Sequence, residues 1–347
     1  MNVTNRIRQS AYLKGMTLVM LAFGLLLVGC STQSEGSTSS SAQSNNGGTT
    51  AETIQVQHAF GTTAIPAHPE RIASYNLEDM LLSLHAPLVA AVSAGEDYYL
   101  ADQLDQLHVP ILNMNGGTSN LEAFINATPD LIVASAAIDQ TTYEQLSQIA
   151  PTIVYDRENW KQSIVELGNV LGLEQQAQTV LKQHDEQVAA TKKAVTKATG
   201  KGKTVAFLRT TAKEIRLYLP GYTDSQGTEL PGYGGMLYND LGFTPLDTIL
   251  QLQKQNPTKQ NVTVSLETLP DLNADYVFVT TGSAGGTAAD RQQDQQQFKE
   301  LSASPLWQSL PAIKQNHLFT VDARHWISTG PIADEMKMDD VTKTLGM

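Results

Sequence analysis

The chain has 347 residues, and its 35 acidic side chains outnumber its 23 basic ones, which gives a formal net charge of −12 at pH 7. This acidic balance disfavours polyanionic partners, so we expect no nucleic acid to bind. The single cysteine, Cys30, excludes an internal disulfide and any site built from several thiolates. Once an N-terminal leader and linker are set aside, about 295 residues remain, enough for two domains.

The first thirty residues have the order of an export signal. Three basic residues and no acidic one precede an apolar run from Met16 to Val28, which is too short for a permanent membrane span. The run ends in Leu27-Val28-Gly29-Cys30, which resembles the bacterial lipobox. We therefore expect residues 1–29 to be removed as a signal peptide. Cys30 would then carry the lipid that holds the chain at the outer face of the cytoplasmic membrane. A signal anchor with an incidental cysteine is the alternative.

Residues 30–53 form the next segment, which is rich in Ser, Gly, Asn and Thr and cannot bury enough apolar surface to offset its ordering entropy. We expect a flexible, lipid-anchored tether here. From residue 54 onward, short β-rich runs alternate with helix-like stretches, which indicates α/β layering. Strands are predicted at 71–75, 88–92, 131–134, 152–155, 204–208, 215–219, 276–280 and 317–321.

Two helices are predicted between the two groups of strands, at 160–171 and 174–198. Apolar residues recur there three or four positions apart, and Gly172 interrupts the pattern. The predicted fold class is α/β, with two lobes that each hold a central, mainly parallel sheet flanked by helices. We place the first lobe at 54–158, an interlobe helix at 159–173 and the second lobe at 174–347.

A short motif occurs once in each lobe with the same spacing. Glu122 is followed after eight residues by Asp130 and a buried strand, and Glu267 is followed after eight residues by Asp275 and a buried strand. Each lobe would thus place one glutamate at an equivalent surface position. The alternative is ordinary helix-start chemistry, since Ser119 and Glu122 fit a capping box.

Together these features resemble the helical-backbone class of substrate-binding proteins of bacterial ABC importers, the group that carries ferric siderophores, cobalamin and haem. The resemblance rests on the lipobox, the two Leu-Glu copies, the central helices and an Ile-Pro-x-x-Pro-x-Arg-Ile opening from Ile65. Leu84-His85 departs from the family's usual Leu-Gly.

The resemblance implies a monomeric binding protein, not an enzyme, in which a rigid helix joins two lobes and a ligand is clamped between them. It also implies that Glu122 and Glu267 meet arginines of the transmembrane subunits of an ABC permease. Two matched carboxylates would make that docking bivalent and fix its orientation.

The implied ligand is a ferric siderophore, whose organic shell rather than its iron contacts the protein. No cofactor other than the lipid on Cys30 is expected. Ligands of α/β lobes lie beyond the carboxyl ends of strands, and the family's pattern also marks Arg209 and Trp326. The small number of basic residues at these loops favours a hydroxamate type over a tris-catecholate. The candidate ligand contacts are Tyr98, Tyr99, Arg209, Arg216, Tyr222, Tyr233, Arg324 and Trp326.

Other functions stay open as alternatives. Haem could bind through an axial His325 or Tyr98, and cobalamin is a further candidate. A zinc or manganese carrier is disfavoured because the seven histidines are scattered. An exported hydrolase is disfavoured because Thr281 occupies the first glycine position of a Gly-x-Ser-x-Gly turn. A structural or adhesive lipoprotein is disfavoured by the paired lobes.

Overall fold

The structure is a computed structural model that describes residues 52–93, 98–113, 121–283 and 287–347. Residues 50–347 form one compact unit. The predicted signal peptide, Cys30 and nearly all of the predicted tether lie outside the described residues. No helix within the described ranges is long and apolar enough to cross a membrane.

The first lobe is built around five parallel strands. An antiparallel hairpin of β1 (Thr53–His58) and β2 (Gly61–Pro66) precedes them. The strands are β3 (Ile72–Tyr75), β4 (Leu88–Ser93), β5 (Ile111–Asn113), β6 (Leu131–Ser135) and β7 (Thr152–Tyr155), in the order β5-β4-β3-β6-β7. The helices between them are α1 (Glu78–Ser83), α2 (Ala101–Gln106), α3 (Leu121–Ala127) and α4 (Gln140–Ser147).

The second lobe follows two central helices, α5 (Trp160–Leu171) and α6 (Glu174–Thr199). Its sheet has the order β13-β9-β8-β14-β15, with β12 paired to β8. The strands are β8 (Thr204–Thr210), β9 (Ile215–Tyr218), β10 (Tyr222–Thr223), β11 (Glu229–Leu230), β12 (Thr244–Pro245), β13 (Asn261–Val264), β14 (Tyr276–Thr281) and β15 (Leu318–Val321). The helices are α7 (Asp247–Gln255), α8 (Ala288–Ser302), α9 (Pro305–Gln308), α10 (Pro311–Lys314), α11 (Ala323–Trp326) and α12 (Pro331–Thr344), with a π-helical turn at Met236–Asp240 and a 3₁₀ turn at Leu266–Asp271.

The predicted α/β class with two sheet-centred lobes is confirmed. The second sheet is mixed rather than purely parallel, because β9 runs antiparallel to both β8 and β13. Since two reversals restore the direction, β13 runs the same way as β8. The carboxyl ends of β8, β13, β14 and β15 therefore lie at one edge of the second sheet.

The helix that joins the lobes differs from the one expected. Trp160, Ile164 and Leu167 of α5 pack into the core beneath the first sheet, so α5 belongs to the first lobe. The 26-residue α6 instead places Ala177 in that core and Val195 in the core of the second lobe. At about 1.5 Å per residue it spans roughly 39 Å. The bridge is thus α6 rather than residues 159–173, because the apolar side chains of α5 face a single core.

The repeated motif has the same structural use in both lobes. Asp130 precedes β6, and its carboxylate accepts the backbone N–H groups of Glu70 (2.8 Å) and Arg71 (3.0 Å), just before the neighbouring strand β3. Asp275 precedes β14, and it accepts the backbone N–H of Thr204 (2.9 Å) at the start of the neighbouring strand β8. Each aspartate therefore fixes the start of an adjacent parallel strand, at the edge opposite the carboxyl ends.

Replacement of Asp275 by Asn should make the free energy of unfolding depend less on pH. Burial alone would raise the pKa of Asp275, but hydrogen bonds from Lys203 (2.9 Å) and Thr204 hold that pKa below its usual value. A depressed folded-state pKa contributes stability above about pH 4 that is lost as the pH falls through it. Urea unfolding should therefore show a loss in Asp275→Asn at pH 7 that shrinks toward pH 3. An equal loss at both pH values would contradict this expectation.

Candidate functional site

A cavity of 230 Å³ lies between the two lobes. From the first lobe, Asn76 follows β3 and Arg157 follows β7, so both lie at the carboxyl edge of that sheet. From the second lobe, the segment between α11 and α12 contributes Ser328 and Thr329. The complete lining is Asn76, Leu77, Asp79, Met80, Tyr98, Tyr99, Arg157, Tyr233, Ile327, Ser328 and Thr329. We refer to this space as the inner cavity.

A second space of 790 Å³ runs along β9 and β13 of the second lobe. Arg216, Lys259 and Gln260 are among its lining residues, and Tyr233 lines both this space and the inner cavity. We call it the outer groove. Tyr233 thus places the two spaces next to each other.

Tyr98 and Tyr99 form one aromatic wall of the inner cavity, with their rings edge to face at 5.0 Å between centroids. The Tyr98 hydroxyl donates to Glu78 Oε2 (3.0 Å) and the Tyr99 hydroxyl donates to Asp79 Oδ2 (2.7 Å). Burial raises the pKa of both tyrosines well above the usual value, and the adjacent carboxylates raise it further. The hydroxyls therefore stay protonated, with their protons directed at Glu78 and Asp79. Each tyrosine can offer a ligand its ring and an oxygen lone pair.

Glu78 and Asp79 are buried acids at the start of α1, with 0% and 4% of their surfaces exposed. Glu78 also accepts the backbone N–H groups of Asn76 and Val92, both at 3.1 Å. Burial raises the pKa of Glu78, and it raises the pKa of Asp79 to about 7 against the opposing effect of its hydrogen bonds. Asp79 lines the inner cavity itself, and each of the two acids orients the hydroxyl of a cavity tyrosine.

Arg157 supplies a positive charge to the inner cavity and was missed by the sequence analysis. Its guanidinium donates to Glu158 Oε1 (3.2 Å) and lies 3.5 Å from the Tyr233 hydroxyl, which itself donates to Glu158 (3.3 Å). Its Nε is buried without a hydrogen-bond partner among the described residues. The rule that selected the other candidates also identifies Arg157, because it comes two residues after the predicted strand 152–155.

The three predicted arginines of the second lobe differ in their charge environment. Arg216 pairs with Glu214, and Arg324 pairs with Asp322 at 2.9 Å between Nε and Oδ2. Arg209 donates from Nε to the backbone oxygen of Gly282, which carries no charge. Two of the three charges are therefore balanced by acids two positions away, and Arg209 contributes the remaining positive charge.

Trp326 lies in the core of the second lobe and is only 1% exposed. Its ring centroid is 5.2 Å from those of both Phe207 and Phe278, and its indole N–H donates to Asp340 (2.8 Å). The prediction that Trp326 contacts the ligand is therefore corrected, because the side chain points into the sheet–helix layer. His325 is 5% exposed and lies 2.7 Å from the same carboxylate, so it is not placed to coordinate haem.

The structure brings together only part of the predicted set. Tyr98, Tyr99 and Tyr233 line the inner cavity, and Arg216 lines the outer groove. Arg209 and Arg324 lie at the carboxyl edge of the second sheet but line neither space. Tyr222 lies on β10 and lines a separate depression with Leu230 and Pro257, where burial raises the pKa of Tyr222 to about 12.

Glu122 and Glu267 are both exposed and lie at equivalent places. Glu122 is in the first turn of α3, the helix that follows β5, and Glu267 is in the first turn of the 3₁₀ segment that follows β13. β5 is parallel to β3 through β4, and β13 runs in the direction of β8. Each glutamate therefore stands near the carboxyl edge of its sheet.

Comparison with known proteins agrees with this architecture. The sequence matches the periplasmic binding protein family over residues 62–325. The probable siderophore-binding lipoprotein YfiY of Bacillus subtilis is 30% identical over 336 residues, which cover 94% of this chain and 96% of the relative. The iron(3+)-hydroxamate-binding protein FhuD of Bacillus subtilis is 28% identical, with 94% and 95% of the two chains covered. The crystal structure of Staphylococcus aureus SirA complexed with staphyloferrin B matches with a TM-score of 0.68 at 30% identity, covering 84% of this chain and 98% of that chain. The chain therefore belongs to the periplasmic binding protein family.

Proposed function

We propose that this protein is an extracytoplasmic, lipid-anchored solute-binding protein that captures a ferric siderophore between its lobes and delivers it to an ABC permease. The observation that carries the proposal is the inner cavity, whose aromatic side chains come from both lobes and whose basic side chain, Arg157, comes from the first. The similarity to YfiY, a probable siderophore-binding lipoprotein, to the iron(3+)-hydroxamate-binding protein FhuD, and to SirA complexed with staphyloferrin B supports the same ligand class.

A hydroxamate complex fits the charge of the cleft better than a tris-catecholate does. Arg157, Arg216 and Arg324 are each paired with a nearby carboxylate. A strongly anionic complex would require a cluster of unpaired cations, whereas a hydroxamate complex is close to neutral and needs aromatic surface and a few donors. The named binding partner of FhuD, an iron(3+)-hydroxamate, is of this type.

The proposal is tested by titrating the purified protein with ferric desferrioxamine, ferrichrome, ferric enterobactin, haem and cobalamin while tryptophan fluorescence is recorded. We expect saturable, submicromolar quenching by a hydroxamate complex. Tighter binding of haem or cobalamin would assign the cleft to that ligand instead, and saturation by none of the five would refute the proposed function.

Replacement of Arg157 by Ala should weaken siderophore binding by roughly tenfold, since it removes a charged donor from the cavity wall. A matched control is Arg71→Ala. Arg71 donates to the backbone oxygens of Thr128 (2.9 Å) and Ala127 (2.7 Å) at the opposite edge of the first sheet. The same titration should therefore give wild-type affinity for Arg71→Ala. Equal losses in both variants would show that Arg157 acts through general stability.

Lipid anchoring through Cys30 is part of the proposal and is supported by the lipobox-like sequence. Cys30→Ser should move the protein from the membrane pellet to the soluble fraction, because acyl chains hold a protein at a bilayer by about 0.8 kcal/mol per buried methylene. Ligand affinity should be unchanged. Retention of Cys30→Ser in the pellet would instead indicate an uncleaved signal anchor.

A further inference from the structure

The first turn of α12 is capped by a side chain from the other lobe. The residue before the helix is Gly330, which has no side chain to cap with. Instead, Asp79 Oδ1 accepts the N–H of Ile332 and Asp79 Oδ2 accepts the N–H of Ala333, both at 2.9 Å. Free N–H groups and the helix dipole favour a carboxylate at such a position.

Gly330 is required for this approach. Its φ of 138° is a conformation that L side chains rarely adopt, and an added Cβ would lie 2.3 Å from Asp79 Cγ. From this point α12 runs into the second lobe, where Met338 and Val341 join the core. A single carboxylate of α1 therefore sets the position of a helix that is anchored in the opposite lobe.

The same carboxylate also orients the aromatic wall of the inner cavity, because Asp79 Oδ2 accepts the Tyr99 hydroxyl at 2.7 Å. The segment leading into α12 forms the facing wall through Ser328 and Thr329. That segment is tied to the first lobe as well, since Thr329 Oγ1 donates to the backbone oxygen of Arg157 (3.1 Å). Lys337 of α12 also stabilises this segment, because its ammonium group donates to the backbone oxygen of Ser328 (2.7 Å).

We propose that Asp79 is a positioning residue for ligand binding. It fixes Tyr99 and the 327–330 segment relative to each other, so that the inner cavity is preassembled from both lobes. This role rests on the proposed function. The Asp79 carboxylate has two oxygens and accepts all three hydrogen bonds, from Tyr99, Ile332 and Ala333. An amide has only one acceptor oxygen, and its NH₂ group would face a group that is itself a donor. Asn at this position therefore keeps the shape of the side chain but cannot accept all three hydrogen bonds.

The test compares Asp79→Asn, Tyr99→Phe and the double variant with Asp275→Asn as the matched control. Asp275 also accepts three hydrogen bonds, but at the edge of the second sheet opposite the cleft. Calorimetric titration of the full-length protein with ferric desferrioxamine gives affinity. Hydrogen exchange of the peptide covering residues 330–336 reports on the helix start without any ligand.

We expect Asp79→Asn to lower affinity roughly tenfold or more and to speed exchange at the start of α12, while Asp275→Asn changes neither. Tyr99→Phe should also speed that exchange, although Tyr99 donates to Asp79 and not to the helix. The double variant should have the same siderophore affinity as Asp79→Asn, since both changes break the same hydrogen bond between Tyr99 and Asp79.

Wild-type affinity in Asp79→Asn, or unchanged exchange at 330–336, overturns the positioning role. Failure of the wild-type protein to bind any of the five complexes would refute the proposed function alone. In that event the exchange measurement still decides the link between Tyr99, Asp79 and α12.

Discussion

Replacement of both Glu122 and Glu267 by Ala should abolish siderophore-dependent iron uptake while leaving the affinity for the ferric complex unchanged. Both side chains are exposed, both lie in the first turn of a short helical segment after a strand, and both lie near the carboxyl edges of their sheets. They do not line the inner cavity or the outer groove. If the two glutamates dock the permease as we expect, their removal costs the permease two contacts and leaves the lining of both spaces unchanged.

Each single variant should retain part of the uptake, because one remaining contact still gives a weak encounter while two linked contacts bind far more tightly than either alone. Glu174→Ala is a suitable control, since Glu174 is also exposed in the first turn of a helix but begins the bridging α6. Uptake is measured with radioactive iron in cells, and affinity with the purified variants. Loss of affinity in the double variant would place these glutamates in the binding site or the fold instead of at the permease.

Replacement of Trp326 by Ala should lower the free energy of unfolding by about 3–5 kcal/mol, the usual cost of removing a large buried ring. This is a large share of the roughly 5–15 kcal/mol that stabilises a typical domain. The ring fills the layer between Phe207 and Phe278, and its N–H satisfies Asp340. Urea unfolding gives the loss directly.

Trp326→Phe separates packing from ligand contact. It keeps an aromatic ring in the core but removes the hydrogen bond to Asp340 and part of the packing of the indole, so we expect a smaller loss of stability than in Trp326→Ala and near wild-type siderophore affinity. A variant that is as stable as wild type but binds tenfold more weakly would show that the indole reaches the ligand, against its 1% exposure.

The secondary structure was accessible from sequence because the chain alternates β-rich runs with amphipathic stretches. All eight predicted strands coincide with strands of the structure, and the break at Gly172 separates α5 from α6 with φ of 68° at that residue. The family resemblance is confirmed. The identity of the bridging helix was not accessible, because apolar spacing shows that a helix has a buried face but not which core that face meets.

The site was predicted less completely than the fold. Position after a strand identifies the edge at which a residue lies, and this rule selected Tyr98 and Tyr99, which line the inner cavity. It does not say whether a side chain turns toward the cleft or back into the layer, which is why Trp326 was misplaced. Asp79 gave no local signal, since its partners Ile332 and Ala333 are more than 250 positions away.

The same separation has a consequence for how the chain acquires its shape. Contacts between distant parts of a chain form late, because the chain loses entropy in closing a long loop before the contact can contribute any stabilisation. The first lobe has cores of its own and can condense early, but Asp79 lacks its backbone donors until the last helix has been made. A variant that stops before residue 331 would therefore lack the N–H groups of Ile332 and Ala333, the two backbone contacts through which Asp79 joins α1 to α12.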